Sequence, residues 1–185
     1  MSDRSVILFI SMSLDGFIAT NDDDISWLSM VERPGEDYGY SDIIDATDTY
    51  ILGRATYDLV FDLTGGTLPH STTHDCYVLI REDLIDENGV QFYNGSLSAL
   101  IGDLKKKPGK GVFCDGGGQV VRLFMEHDLI DEYVISIIPT MLGDGKRLFL
   151  GGTKSIDIEL VSSRTFDSGL VQLRYARAGN SAKQR

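Results

Sequence analysis

Apolar positions along the chain follow two rhythms. Residues 6–12 (VILFISM) form an apolar run that ends in Ser13, Leu14, Asp15 and Gly16, the pattern of a strand entering a loop. That loop is expected to reach about Pro34, and it carries Asn21, Asp22, Asp23, Asp24 and the only tryptophan, Trp27. An irregular stretch this long in a compact chain is more often functional than idle. Between residues 38 and 47, Tyr40, Ile43, Ile44 and Ala46 recur at helical spacing, and the β-rich run 49–52 then stops at Gly53. Residues 54–61 follow at once, giving strand, glycine and first helical turn. Strands are predicted over 76–80, ending at Arg81, and over 90–93. A helix from about Ser96 ends in Lys105, Lys106 and Lys107, cations that suit a helix C-terminus. A short strand at 111–114, a glycine-rich turn at 115–118 and a helix over 119–128 repeat the order strand, glycine, helix. The rest is β: a long strand at 133–138, a turn around 142–145, a short strand at 147–150 and two alternating strands that read as an antiparallel hairpin. Ile156, Ile158 and Leu160 line one face of the first of these, and Val171, Leu173 and Tyr175 one face of the second. Strands alternating with helices early, then strand upon strand, predict a parallel sheet covered by helices with an antiparallel edge.

The 185 residues, 42% hydrophobic and 24% charged, suit one soluble domain (1–185) with a sizeable core. A net charge of -11 argues against nucleic acid or an anionic membrane as partner, while local arginines and helix N-termini still permit a small anion. No apolar run reaches the roughly 18 to 20 residues of a membrane helix, and the N-terminus does not read as a signal peptide, so the expected compartment is cytoplasmic. Cys76 and Cys114 each fall in a β run and are expected to be buried thiols. His70, His74 and Cys76 lack a fourth ligand and a closed spacing, so no metal is expected. Asp22 to Asp24 read as a solvated loop tip, and Asp15 before Gly16 reads as turn chemistry.

Three strand ends carry residues suited to a phosphorylated nucleotide: Gly53, Arg54 and Thr56; Arg81; and Gly116, Gly117 and Gly118. In an open α/β sheet ligands bind beyond the carboxyl ends of the strands, so these points can share one crevice. A helix N-terminus offers unpaired N–H groups to a pyrophosphate, glycine lets it approach, and arginine clamps a further phosphate. An arginine at a helix N-terminus, like Arg54, is electrostatically misplaced unless it meets an anion. Val121 stands where the Rossmann fingerprint needs its third glycine, and no Walker sequence is present.

SMSLDGFIA at 11–19, YILGRATYD at 50–58, YVLIRED at 77–83, CDGGGQVVRLF at 114–124 and LIDEYVISIIPTMLGDGKRLF at 129–149 together resemble the dihydrofolate reductase superfamily. More narrowly they resemble its bacterial and archaeal branch, grouped with the C-terminal reductase domain of riboflavin biosynthesis. The resemblance implies a three-layer α/β/α sandwich around a mixed, mostly parallel eight-stranded sheet with an antiparallel C-terminal edge, and NADPH as cofactor. It implies that Gly53, Arg54 and Thr56 hold the pyrophosphate and the adenosine 2′-phosphate, with Ile80 and Arg81 at the strand end that meets the same phosphate. It places Gly116, Gly117, Gly118, Gln119 and Val120 under the pyrophosphate and nicotinamide riboside. Ser11, Asp15 to Ala19, including Ile18, and Trp27 match the first strand and the loop that covers the nicotinamide.

Dihydrofolate reductases carry a substrate carboxylate on the helix after that loop. Counting forward from Trp27 selects Glu32 and counting back from Gly53 selects Asp37; Asp37 is preferred as the catalytic and substrate-binding acid, with Trp27 as a wall of the pocket. Ile135 aligns with the family threonine that partners the acid. Ser41, Asp42, Ile43 and Ile44 precede Asp45 and Ala46, where the riboflavin branch shows a histidine and an arginine. The expectation is a cytoplasmic NADPH-dependent reductase acting on a C=N bond of a small pteridine- or aminopyrimidine-like molecule, paired as a homodimer. A true dihydrofolate reductase and a non-catalytic nucleotide-binding module are the alternatives.

Overall fold

The computed structural model describes residues 4–87 and 89–179. The chain runs β1 (Val6–Ser13), β2 (Phe17–Ala19), a 3-10 helix (Ser26–Val31), α1 (Tyr40–Ala46), β3 (Thr47–Gly53), α2 (Arg54–Leu63), β4 (Asp75–Leu79) and β5 (Val90–Tyr93). It continues α3 (Leu97–Lys106), β6 (Gly111–Gly116), α4 (Gly118–Glu126), β7 (Glu132–Ile138), β8 (Lys146–Arg147), β9 (Ile158–Thr165) and β10 (Val171–Arg177). Eight strands form one sheet in the order β5-β4-β3-β6-β1-β7-β10-β9. The first six in that order are parallel, β10 is antiparallel to β7, and β9 is antiparallel to β10.

β1 is the central strand, and its lack of strict alternation follows from burial on both faces: Val6 and Leu8 are fully buried, and Ile7 nearly so. Leu8, Ile51 and Cys114 face α3 and α4, while Ile7, Tyr50 and Phe113 face α1 and α2. Three layers result. α3 shows how the local signals agree: Ser96 Oγ accepts from Ala99 N, Leu97, Leu100, Ile101 and Leu104 are buried, and Lys105 at the last turn reaches Asp131 at 2.7 Å. β6 and β3 both end in glycine where their helices begin, so the starts of α2 and α4 meet at the carboxyl edge of the sheet.

Several boundaries differ from the sequence expectations. The loop after β1 contains β2, which pairs with β8, and the 3-10 helix; elements of three and six residues are too short to show a period. α1 starts at Tyr40 rather than 38 because Tyr38 and Gly39 both hold positive φ, at 56° and 83°. The short strand expected at 147–150 is reduced to Lys146–Arg147. Ile158 and Leu160 are exposed, at 42% and 58%, because β9 is the sheet edge and no helix covers its apolar positions. Cys76 and Cys114 are buried free thiols, and burial pushes the Cys76 thiol up to about 12. No helix of the described residues is long and apolar enough to cross a membrane.

Candidate nucleotide and substrate site

A cavity of about 1010 Å³ opens at the carboxyl edge, lined from β1, β2, α1, α2, α4 and the turn before β8. Two helices begin on it. Gly53 caps α2 and Gly117 caps α4, and neither cap makes a side-chain hydrogen bond, in contrast to Ser96 on α3. The first amides of α2 and α4 therefore keep their donors for an anion in the cavity.

The glycines matter for packing as well as approach. Gly117 holds φ +79°, and a Cβ there would stand 2.9 Å from Thr56 Oγ1, so the α4 cap lies directly against the first turn of α2. A Cβ on Gly118 would run into the carbonyl oxygen of Arg147, which fixes β8 across the start of α4. Asp15 secures the same corner, accepting from Leu142 N at 3.1 Å and Gly143 N at 2.7 Å. The Ser13 hydroxyl and these amides hold its carboxyl below the ordinary value.

Three cations, Arg54, Lys146 and Arg147, line the cavity. Arg54 lines the cavity half-exposed, its Nε shared by Asp58 Oδ1 and Oδ2 at 2.7 and 2.9 Å, its guanidinium 6.0 and 5.8 Å from the Tyr57 and Phe92 rings. Arg147 lies 4.5 Å over the Phe17 ring, and Lys146 pairs with Asp23. Ser11, Ile18, Ala19, Gly53, Thr56, Gly117, Gly118, Gln119 and Val120 also line the cavity. Gly116 does not line it; it ends β6 just below the turn. Ile80 and Arg81 lie beyond β4, with Ile80 N donating to Tyr93 O at 3.0 Å, and neither lines the cavity; Leu79 does.

Phe9 and Ser11 of β1, Ile25, Leu28, Tyr40 and Asp115 also line the cavity. The acid here is Asp115, which the sequence reading passed over as part of a turn. Asp115 is the penultimate residue of β6, on the same face as Phe113, and it accepts a hydrogen bond from the Tyr50 hydroxyl. Burial pushes its carboxyl above the ordinary value, and the Tyr50 bond pulls back part of that rise. Tyr40, whose hydroxyl bonds His70 Nε2 at 2.8 Å, is pushed up to about 12 by burial and by Asp115. Burial also favours neutral His70. Burial thus raises a carboxyl and a phenol of the cavity lining above their ordinary values.

The expected acid is elsewhere. Asp37 lies outside the cavity, at the entry to α1, where its carboxylate accepts from Gly39 N, Ser41 N and Ser41 Oγ. Those bonds hold it below the ordinary carboxylate value, so it is a turn and capping group. Glu32 ends the 3-10 helix, also outside. Trp27 packs on Val31, Ile138 and Leu170 and supports the cavity wall through its neighbour Leu28. Ile135 is buried on the α3/α4 face. The signal for Asp115 was present in sequence: a carboxylate ending an otherwise apolar buried run, one residue before the glycines.

The family model for the RibD C-terminal domain matches residues 4–172. The chain belongs to the RibD C-terminal domain family. Among curated relatives, YwjB of Bacillus subtilis (strain 168) is 39% identical over 177 residues, covering 95% of this chain and 99% of that one. YyaP of the same organism is 32% identical over 188 residues, covering 95% and 96%. A solved structure from Shewanella sp. PV-4, whose name connects it to riboflavin biosynthesis, superposes with a TM-score of 0.85 at 31% identity, covering 94% of this chain and 98% of that one. A Thermotoga maritima structure named as a diaminohydroxyphosphoribosylaminopyrimidine deaminase/5-amino-6-(5-phosphoribosylamino)uracil reductase gives a TM-score of 0.70 at 16% identity. It is matched over 94% of this chain and 56% of that one, a likeness of fold. The RibD C-terminal, dihydrofolate-reductase-like fold accounts for the eight-stranded sheet and its antiparallel edge.

Proposed function

We propose that this RibD C-terminal domain protein is an NADPH-dependent reductase that saturates a C=N bond in a small pteridine- or aminopyrimidine-like molecule. The observation that carries the reading is one cavity that brings together two glycine-capped helix starts, Arg54, Lys146 and Arg147, and Asp115, whose carboxyl burial raises. The residues fit a phosphorylated dinucleotide: the α2 and α4 amides suit a pyrophosphate, and Arg54 suits a further phosphate monoester. When bound, NADPH supplies two electrons as a hydride to the carbon of the C=N bond and becomes NADP+.

The chain's own part is binding, orientation and the proton. Phe9, Ile25 and Leu28 offer apolar surface to a planar ring and exclude water. Asp115 gives its proton to the nitrogen, completing CH–NH, and is reprotonated from solvent; a carboxyl raised by burial is suited to that role. The Tyr50 hydroxyl holds the carboxylate that remains.

Titration of the purified protein with NADPH, NADP+ and NADH, read by Trp27 fluorescence and thermal shift, tests the cofactor. Preferential binding of the phosphorylated pair supports the reading, and no stabilisation by any of the three refutes it. An absorbance assay with dihydrofolate then separates a folate enzyme from a reductase of another heterocycle.

A further inference from the structure

Residues 14–23 and 140–148 are laced together, and the lacing brings a set of residues to the cavity. Leu14 N donates to Thr140 O at 2.8 Å and Leu148 N to Gly16 O at 3.0 Å. Phe17 pairs with Arg147 and Ala19 with Lys146, and Asn21 Nδ2 donates to Asp144 Oδ2 at 2.9 Å. Asp15 anchors the turn that precedes β8: its carboxylate accepts from the Ser13 hydroxyl at 2.5 Å, Leu142 N at 3.1 Å and Gly143 N at 2.7 Å. Asp37 also accepts three hydrogen bonds, but from residues two and four positions away. The two amides on Asp15 lie 127 and 128 residues away, so their loss frees a distant turn rather than a local cap. Gly143, Asp144, Gly145, Lys146 and Arg147, which that turn carries, all line the cavity.

The three cavity cations differ in what already engages them. Arg54 Nε is taken by Asp58, and Lys146 by Asp23. Arg147 makes no ion pair among the described residues: Asp144, a carboxylate that feels its charge, is engaged by Asn21 Nδ2 and Gly145 N. The exposed Arg147 guanidinium lies 4.5 Å over the Phe17 ring, a weak contact at an exposed site. Its backbone is fixed at the start of α4, because the Arg147 carbonyl oxygen is the atom a Cβ on Gly118 would strike. An unpaired guanidinium beside the amides of a glycine-capped helix start suits a diphosphate, whose oxygens take several donors at once. Resting on the reductase reading above, we propose that Arg147 is the cation for the diphosphate common to NADPH and NADH, and that Asp15 is its positioning residue, acting through the turn it holds.

The test is a double-mutant cycle on binding, with NADP+, NAD+ and ADP titrated calorimetrically into the full chain. Arg147→Met keeps an apolar stem over Phe17 and should weaken all three about 10- to 150-fold, because each carries the diphosphate. A loss under about threefold would overturn the assignment. So would a loss confined to NADP+, which would place Arg147 at the 2′-phosphate instead. Asp15→Asn should weaken all three at least about fivefold in the wild-type background, but less than about twofold further in the Arg147→Met background. In the same variant amide exchange at Leu142 and Gly143 should quicken at least about tenfold. Equal factors in both backgrounds, or unchanged exchange, would overturn the positioning role. Asp15→Glu, which keeps the charge and displaces the turn by a methylene, takes its place if circular dichroism shows Asp15→Asn unfolded. A wild type that binds ADP but neither dinucleotide refutes the reductase reading while the variants still report on the diphosphate. A wild type that binds none of the three below about 1 mM overturns both.

Discussion

Replacing Arg54 with alanine separates cofactor recognition from fold stability, because the two effects have different sizes. In the free protein the Arg54–Asp58 pair joins two half-exposed side chains one helical turn apart, a contact of about 0.3–0.5 kcal/mol. The aromatic contacts at 6.0 and 5.8 Å add about 0.5 kcal/mol at an exposed site. Against these, a cation in the first turn of α2 opposes the helix dipole at a cost of about 0.3–1 kcal/mol. The contributions nearly cancel, and the melting temperature should move by less than about 2 °C. In the complex the same guanidinium meets a phosphate through charge-assisted hydrogen bonds worth about 1.5–3 kcal/mol, so the NADPH Kd should rise about 10- to 150-fold. NADH lacks that phosphate, and its affinity should change less than about threefold. Fluorescence titration of both cofactors against both proteins reads the difference directly. Equal losses for NADPH and NADH would remove Arg54 from the 2′-phosphate, and a large drop in melting temperature would show that the cancellation is wrong.

Asp115→Asn should lower turnover by about 10²- to 10⁴-fold with NADPH affinity retained; undiminished turnover would remove Asp115 as the proton donor. The same variant carries a signed prediction for stability. Because burial raises the folded-state value above the ordinary 3.8, the wild type's stabilisation is complete below that value and is lost as pH rises through the folded one. Denaturant unfolding should therefore show the variant gaining on the wild type from acid to neutral pH; a constant difference would contradict the assigned shift. Gly118→Ala forces a methyl onto the Arg147 carbonyl, an overpacking of about 1–3 kcal/mol, and calorimetry should show a melting temperature lower by about 2–12 °C. An unchanged value would mean that β8 is free to move off α4. Two copies are proposed to pair antiparallel through the β9 edge, where Glu159 of one faces Arg164 of the other and exposed Leu160 and Val161 become covered. Light scattering should give about 41 kDa, twice the chain's 20.4 kDa, and Leu160→Lys should halve it; a monomeric wild type refutes the pairing.

What the sequence made legible follows from how far each signal reaches along the chain. The strand, glycine, helix junctions at Gly53 and at Gly116 to Gly118 are local, and both helix starts stand where the pattern put them. The parallel body and antiparallel edge were legible because buried parallel strands and half-buried antiparallel ones carry different patterns. β2 was not legible and β8 was legible only as a strand misplaced by about two residues: they have three and two residues, and only their pairing across more than a hundred residues defines them. The exposure of Ile158 and Leu160 depends on which strand is last in the sheet, a property of the whole order.

Counting along the chain did not reach Asp115, the proposed proton donor, for a related reason. Counting from Trp27 or Gly53 measures distance along the chain, and insertions between them shift the count; the cavity is assembled across the sheet, where β6 lies between β3 and β1. Asp37 is held at its own turn by three local hydrogen bonds, which explains an acidic residue there without a substrate. Asp115 has no such local explanation. Its hydrogen bond comes from Tyr50 on the neighbouring strand, 65 residues away, and its position on the cavity carries a desolvation cost that a surface turn would avoid. Glu132 is also buried, but Arg174 pairs with it at 2.6 Å, whereas Asp115 lines the cavity with the Tyr50 hydroxyl as its donor, and that difference marks Asp115 as a carboxylate whose position calls for a function.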